Sequence, residues 1–192
     1  MTGRVVSGPL LALAMQISGG PAMAFPDRAP LAHSGGFGDR DCTECHFDGT
    51  AIGQSPDLAL SGLPACYAPG ATYGLGVRLR AAAARGGYQL AVRFARGADA
   101  GSTAGRLLVT DSRGLIRTDK KGRQFAGSTL AGSTAAGEGF SWKLSWTAPG
   151  VVRAVDFDLA ANAANGDDSP FGDRVHLRHI TVCRNANLTT LP

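Results

Sequence analysis

Short stretches of alternating apolar and polar residues fill the chain from residue 72 onward and constrain its fold more than any other feature. In the first stretch Tyr73, Leu75, Val77 and Leu79 share one face, because side chains alternate between the two faces of a strand. The predicted strands are 72–80, 87–95, 106–110, 115–118, 140–147, 151–159 and 175–183. About seven short strands with no long helical pattern predict an all-β fold, an Ig-like antiparallel β-sandwich.

One segment between these strands lacks the alternation. The stretch from Ala126 to Gly139 is rich in Gly, Ser and Ala, which predicts a mobile loop. In the strand that follows, Trp142 and Trp146 are separated by an even number of positions and therefore share a face. We expect both indoles to pack in the core, with an electron-relay or haem-stacking role as the alternative.

The stretch from residue 25 to residue 65 is rich in Gly, Pro and Asp and shows almost no periodicity. It contains Cys42-Thr43-Glu44-Cys45-His46, and C-x-x-C-H is the attachment sequence of a c-type haem. In such a site the two thiols form thioethers with the porphyrin, and the histidine binds iron. We therefore expect 25–65 to be a haem-attachment segment, mostly loop with one helical turn near Cys45, and 66–192 to be the β-sandwich domain.

The first 24 residues resemble a secretory signal. Arg4 supplies the positive charge, a short apolar core follows, and Ala22-Met23-Ala24 matches a small-x-small cleavage pattern. The mature chain would then begin at Phe25, with no transmembrane helix, and would be exported to the periplasm or the outer cell surface. The alternative is that the apolar segment stays attached as an anchor.

Two cysteines, Cys66 and Cys183, remain outside the haem motif. In an oxidising compartment such a pair predicts a disulfide, which would stabilise the fold by about 3–5 kcal/mol in the chain-entropy model. A four-cysteine zinc site is the alternative, but the chain has only one C-x-x-C knuckle. A further alternative is a disulfide between Cys42 and Cys45.

The sixth iron ligand is the open question of this motif. All three methionines of the chain, Met1, Met15 and Met23, lie in the predicted signal, so the mature protein would have no His/Met ligation. The remaining candidates are histidines.

Among these histidines, His33 is preferred because it lies only nine residues before Cys42, so the loop costs little entropy. His176 comes next, an iron without a sixth protein ligand third, and His179 last. His176 and His179 fall on opposite faces of one strand. If Cys183 points inward, His179 points inward with it and His176 points outward.

Charge and acidic clusters suggest few other functions. The net charge of +4 does not indicate nucleic-acid binding. The one basic cluster consists of Arg117, Lys120, Lys121 and Arg123, and we expect a solvated hairpin loop there rather than a docking patch.

The closing acidic residues Asp167, Asp168 and Asp173 could offer oxygen ligands to calcium, but the spacing is not that of an EF-hand and Asn-Gly-Asp is typical of turns.

Several strings resemble the Reeler-like domains of bacterial exported proteins, also called choice-of-anchor V domains. They are Gly35–Asp39 followed by C-T-E-C-H, Leu63–Tyr73, Gly87–Leu90, Trp142–Pro149, Asn162–Asp167, and Gly172-Asp173. The resemblance spans about residue 35 to 183 and implies an Ig-like sandwich with an N-terminal C-x-x-C-H segment. The chain departs from the family in two ways: residues 124–141 lack a histidine that members often show, and the pair Cys66/Cys183 is an addition.

These patterns together predict a monohaem c-type cytochrome. It would transfer single electrons to redox protein partners, or within a membrane redox complex as an accessory subunit. One alternative is a haem-based sensor or binder of small ligands. Another is a non-redox exported domain for interaction or surface anchoring. The sequence shows no nucleophile–base pair and no phosphate-binding loop, so we do not expect an enzyme.

Overall fold

The computed structural model describes residues 29–47 and 49–183, so the predicted signal, its cleavage site and Phe25 lie outside the described residues. Within them the chain forms nine strands. Their bounds are β1 Leu58–Ser61, β2 Thr72–Leu79, β3 Arg85–Phe94, β4 Arg106–Val109, β5 Gly114–Thr118, β6 Gln124–Ser128, β7 Phe140–Thr147, β8 Val155–Ala164 and β9 Arg174–Val182. Two single 3₁₀ turns, Cys42–Glu44 and Ala131–Ser133, are the helical elements of this part of the chain.

The strands form two antiparallel sheets that pack face to face. One sheet has the order β1-β2-β7-β4 and the other has the order β5-β6-β3-β8-β9. The predicted all-β sandwich is therefore confirmed, with nine strands instead of about seven. β1 has only four residues, too few to show an alternation, and it forms because it pairs with β2. It lies inside the stretch 25–65 that the sequence assigns to the haem segment.

The predicted loop from Ala126 to Gly139 is wrong at its start, and from residue 129 onward it lies outside the strands. Its first residues belong to β6, which pairs with both β3 and β5. The rest is fixed by the side chain of Arg113, which donates hydrogen bonds to four backbone carbonyl groups. The indole nitrogen of Trp142 also donates to the Gly132 carbonyl at 3.0 Å. Composition favoured a loop, but these long-range bonds order the backbone.

Aromatic side chains fill the space between the sheets. Trp142 and Trp146 are both fully buried, as their shared face predicts. Trp146 makes edge-to-face contacts with Tyr67 and Phe157 at ring-centroid distances of 5.2 Å and 5.0 Å, and Tyr88 lies 4.8 Å from Trp142. Such pairs contribute about 0.5–1.5 kcal/mol each beyond the area they bury, so they fix how the two sheets stack.

A disulfide joins Cys66 to Cys183, as the sequence predicts. Cys66 follows β1 in the first sheet and Cys183 follows β9 in the second, so the bond connects the two layers. The Cys183 backbone N–H also donates to the Ala65 carbonyl at 3.0 Å. No helix within 29–47 and 49–183 is long and apolar enough to cross a membrane.

The two central strands of the larger sheet, β3 and β8, are buried on both faces. One face carries the apolar residues of the core. The opposite face carries buried polar side chains, namely Gln89, Arg93, Asp156, Asp158 and Asn162. Residues 29–44, which we call the strap, lie across this face and contact Gln89, Arg93 and Asp158.

Candidate functional site

Side chains of β3 hold the strap by hydrogen bonds to its backbone. The Gln89 amide donates to the Pro30 carbonyl at 2.8 Å and accepts from the His33 backbone N–H at 2.6 Å. The Arg93 guanidinium donates to the Gly36 carbonyl at 2.9 Å. Polar side chains on a strand buried at both faces need such partners, and here the strap supplies them.

A buried ion pair fixes the middle of the strap. The Asp39 carboxylate contacts the Arg93 guanidinium, and its other oxygen accepts from Arg123 at 3.0 Å. Both Asp39 and Arg93 are almost fully buried, and the Arg93 guanidinium also lies 5.4 Å from the centre of the Phe125 ring. A buried charge without its partner is costly, so this pair ties the strap to one position on the sheet.

The C-x-x-C-H sequence comes directly after this anchored part and forms a single helical turn. Asp41 caps it by accepting from the Thr43 backbone N–H at 2.8 Å, and the His46 backbone N–H donates to the Cys42 carbonyl at 3.0 Å. Short polar side chains such as Asp favour this N-terminal position. The turn agrees with the helical turn that the sequence predicts near Cys45.

Cys42 and Cys45 are both free thiols, not a disulfide. Each residue keeps part of its surface accessible. Desolvation of the Cys42 thiol, together with the nearby Asp41 carboxylate, raises the pKa of this thiol to about 12. The turn thus presents two reduced sulfur atoms on the same short element as His46.

The side chain of His46 contacts residues that are distant in sequence. Its Nδ1 lies 2.6 Å from the Asp173 carboxylate, although the two residues are 127 positions apart in sequence. The Asn162 amide nitrogen lies 3.1 Å from Nδ1 and 3.3 Å from Nε2 of the same ring. Because a carboxylate accepts hydrogen bonds, the Asp173 contact places the ring proton on Nδ1 and leaves a lone pair on Nε2.

A cleft opens beside His46, and exposed apolar side chains lie near it. Its lining includes His46, Thr50, Ile52, Asp173, Arg174 and Val175. Phe47, Ile52 and Phe171 are exposed, and the rings of Phe47 and Phe171 lie 5.9 Å apart. Exposed apolar side chains gathered around polar groups are typical of ligand-binding surfaces.

The residues of this site fit a covalently attached haem. Two free thiols and an imidazole lie on one turn, and the imidazole has its Nδ1 engaged and Nε2 available to iron. The Asn162 Oδ1 atom is buried without a hydrogen-bond partner among the described residues, so the polar groups around the ring are incompletely satisfied. An iron bound at Nε2 would replace the Asn162 contact there and leave the 3.3 Å bond from Asn162 to Asp173 in place.

His33, the preferred sixth ligand, lies on the strap with both ring nitrogens engaged. Its Nδ1 is 2.9 Å from the Leu31 carbonyl, and its Nε2 contacts the carboxylate of Glu44 in the attachment turn. Glu44 also pairs with Arg40. In this arrangement His33 supports the turn, and it would have to break these contacts to bind iron.

His176 and His179 are arranged opposite to the sequence expectation. His176 is 3% exposed and bonded through Nδ1 to Ser55, whereas the side chain of His179 remains half exposed and contacts Asp158. The expectation used Cys183 as a marker of the inward face, but β9 ends at Val182 and Cys183 has a positive φ of 51°. That turn breaks the alternation, so the inference from it was wrong.

The closing aspartates do not form a cluster. Asp167 accepts hydrogen bonds from the Ser169 backbone and from Asn165, as in a polar turn, and Asp173 faces His46. Within 29–47 and 49–183 no group of three or more His, Cys, Asp or Glu side chains is arranged to hold a metal ion. The calcium alternative therefore gains no support from this loop.

The basic cluster is largely engaged within the protein. Arg117 donates to the Ala29 carbonyl at 2.7 Å, and Arg123 contacts both Asp39 and Asp119. Of the four residues only Lys120 and Lys121, on the β5–β6 turn, are exposed. Two of the four cations therefore help to hold the strap.

Sequence reasoning missed the residues that support the site: Arg93, Asp39 and Asn162. The available signal was the spacing of polar residues along β3 and β8, with Gln89 and Arg93 four positions apart. Such spacing normally indicates a solvent-facing side of a sheet, because the sequence does not show that another segment covers it.

No protein-family model matches the chain, and no curated protein matches it either. Similar solved structures include two crystal structures of the reeler domain of human F-spondin. The first has a TM-score of 0.46 and 16% sequence identity, and the match covers 70% of this chain and 94% of that chain. The second has a TM-score of 0.45 and 17% sequence identity, and the match covers 74% of this chain and 97% of that chain. A cohesin module from a Clostridium perfringens family 33 glycoside hydrolase has a TM-score of 0.44 and 11% identity, over 69% of this chain and 96% of that one.

Proposed function

We propose that this chain is a monohaem c-type cytochrome that transfers single electrons. The observation that carries the proposal is the turn Cys42–His46, which presents two free thiols and an imidazole whose Nδ1 is bound to a buried carboxylate. A haem bound there supplies an iron that alternates between the ferric and ferrous states. The protein is proposed as an electron carrier, not as an enzyme that converts a substrate.

Each residue of the site has a distinct role in this proposal. Cys42 and Cys45 anchor the porphyrin through thioethers, and His46 binds iron through Nε2. The strap leads into this turn and is anchored to β3 through the Arg93–Asp39 pair. The exposed apolar side chains of Phe47, Ile52 and Phe171 would shield the porphyrin edge from water.

The proposed setting is the periplasm or the outer cell surface. The signal-like residues 1–24 and the disulfide between Cys66 and Cys183 both favour an oxidising compartment outside the cytoplasm. The proposed partners are redox proteins or a membrane redox complex of which the chain is an accessory subunit.

The test is to produce the full chain in a host with haem-c maturation and record a pyridine haemochrome spectrum and an intact mass. We expect a c-type α-band and one added haem in the wild type. Cys42→Ser/Cys45→Ser should carry no covalent haem, and Ser112→Ala, an exposed serine remote from the site, should match the wild type. A wild-type chain without haem would overturn the proposal and favour a non-redox exported interaction or anchoring domain.

A second candidate function is reversible binding of small ligands such as CO or NO. It is favoured by the state of the other histidines: His33 and His179 have both ring nitrogens in contacts, and His176 is buried behind Ser55. None of these three offers a free, exposed ring nitrogen to the iron. A rapid spectral shift when CO is added to the reduced protein would support this function, and an unchanged spectrum would exclude it.

A further inference from the structure

We propose that Asp173 is a positioning residue that lowers the reduction potential of the iron bound to His46. The inference rests on the proposed function and deepens it, because it names what tunes the site. Asp173 belongs to no sequence motif for haem. It comes from the end of the β8–β9 turn, next to Arg174, the first residue of β9.

The Asp173 carboxylate is fixed at both of its oxygens. Oδ2 accepts from His46 Nδ1 at 2.6 Å and from the Asn162 amide at 3.3 Å, and Oδ1 accepts from the Asn165 backbone N–H at 3.0 Å. The residue is only 5% exposed. A buried carboxylate with three N–H donors is held in one orientation, so the His46 ring that it contacts is held as well.

This contact changes the electronic character of the ligand. A carboxylate that accepts the Nδ1 proton makes the imidazole a stronger donor at Nε2. A stronger donor stabilises ferric iron more than ferrous iron, because the ferric ion carries the larger positive charge. The reduction potential therefore falls compared with a histidine that has a neutral partner.

Asn162 and the burial of Asp173 explain why the contact between Asp173 and His46 is strong. Asn162 pairs with Val175 of β9 in the sheet, and its side-chain amide donates to the Asp173 carboxylate at 3.3 Å, which helps to keep Asp173 in place. The side chain of Asp173 is almost inaccessible to solvent, whereas that of His46 remains partly accessible. Water therefore does not screen the hydrogen bond on the carboxylate side.

The decisive experiment compares reduction potentials of the holoprotein and two variants. Asp173→Asn keeps the shape and a hydrogen-bond acceptor but removes the charge. We expect this variant to lower the preference for ferric over ferrous iron by about tenfold, the lower end of the effects seen when a partner of a metal ligand is removed. For a one-electron couple, a tenfold change raises the reduction potential by about 59 mV. Asp168→Asn is the matched control, since Asp168 lies exposed in the same turn and Asn tolerates its positive φ of 59°.

A second readout tests the contact itself, independently of the potential. In the reduced protein under CO, NMR should show the His46 Nδ1 proton protected from exchange, and Asp173→Asn should speed that exchange. Asp173→Glu, which keeps the charge, should restore the potential toward the wild type. A merely structural role for Asp173 would alter stability without this pattern.

The outcomes separate the two proposals. A wild type that lacks covalent haem overturns the proposed function and this inference with it. A wild type that carries haem, while Asp173→Asn shifts the potential no more than Asp168→Asn, overturns the inference alone. If Asp173→Asn does not fold, the wild-type NMR decides: an unprotected Nδ1 proton overturns the inference, and a protected one supports it.

Discussion

Gly36 of the strap lies directly on Asp158 of β8, so close that a β-carbon at residue 36 would overlap the Asp158 carboxylate. The Gly36 carbonyl also accepts a hydrogen bond from Arg93 at 2.9 Å. The strap therefore reaches the sheet only because residue 36 has no side chain. Since the haem-attachment turn follows a few residues later, this close approach helps to set where that turn lies.

Gly36→Ala should displace the strap. The added methyl group cannot be accommodated without moving backbone or a buried carboxylate, and such overpacking costs about 1–3 kcal/mol of unfolding free energy. Urea denaturation measures the loss, and limited proteolysis should show faster cleavage before residue 44. Gly53→Ala is the control, since nothing lies within 4 Å of its added β-carbon. Equal stability of the two variants would contradict the close contact.

Asp39→Asn should destabilise the protein by about 3–5 kcal/mol, because it leaves the buried Arg93 guanidinium without its counter-charge. The comparison is Asp57→Asn, which removes an exposed partner 4.0 Å from Arg80 and should cost under about 1 kcal/mol. Urea denaturation of both variants at neutral pH measures the difference. Similar losses in the two variants would show that the Asp39 ion pair is not buried in solution.

Replacing both disulfide cysteines, in Cys66→Ser/Cys183→Ser, should lower the unfolding free energy by about 3–5 kcal/mol. The bond closes a loop with a sequence separation of 117, and long loops lose the most entropy when cross-linked. Treating the wild type with a reductant should produce the same loss, while the double variant should not respond to it. A reductant-insensitive wild type would mean that the bond is absent in the purified protein.

Stability should fall in mild acid because of His176. Burial lowers the pKa of this imidazole below its usual 6.5, so as the pH falls below 6.5 the unfolded chain takes up the proton before the folded chain does. The free energy of unfolding then declines from pH 6.5 down through the folded-state pKa, and the full contribution is present above 6.5.

His176→Gln isolates this contribution, because the replacement does not titrate. Urea denaturation at several pH values between about 5 and 7.5 should give a steeper decline for the wild type than for the variant. Parallel curves for the two proteins would show that His176 titrates normally in the fold and that its burial is not maintained.

The alternation of apolar and polar residues predicted the bounds of strands with one apolar face. It failed where pairing with a neighbouring strand set the bounds. The bounds of β7, Phe140–Thr147, agree fully with the prediction, because its apolar and polar residues alternate without interruption. β8 was expected at 151–159 but runs Val155–Ala164, because its register follows its ladder with β3. Its alanine-rich end carries no alternation that a sequence pattern could use.

The sequence predicted the attachment turn, but it did not predict the residues that contact the His46 ring. Cys42, Cys45 and His46 are neighbours in sequence, so their arrangement is a local property of one helical turn. Asp173 and Asn162 are more than a hundred positions away from His46. Their contact with the ring depends on how β8 and β9 pair and on the path of the strap, and no local pattern encodes either.

The sequence by itself determined the fold class, the disulfide pairing and the position of the C-x-x-C-H turn, because periodicity, cysteine count and short-range geometry act locally. Tertiary structure decided that the strap covers β3 and β8, that His176 is buried while His179 remains half exposed, and that His33 pairs with Glu44. The physical reason is that a polar side chain on a strand suits either water or a buried partner equally well. Only the packing of a distant segment determines which of the two it meets.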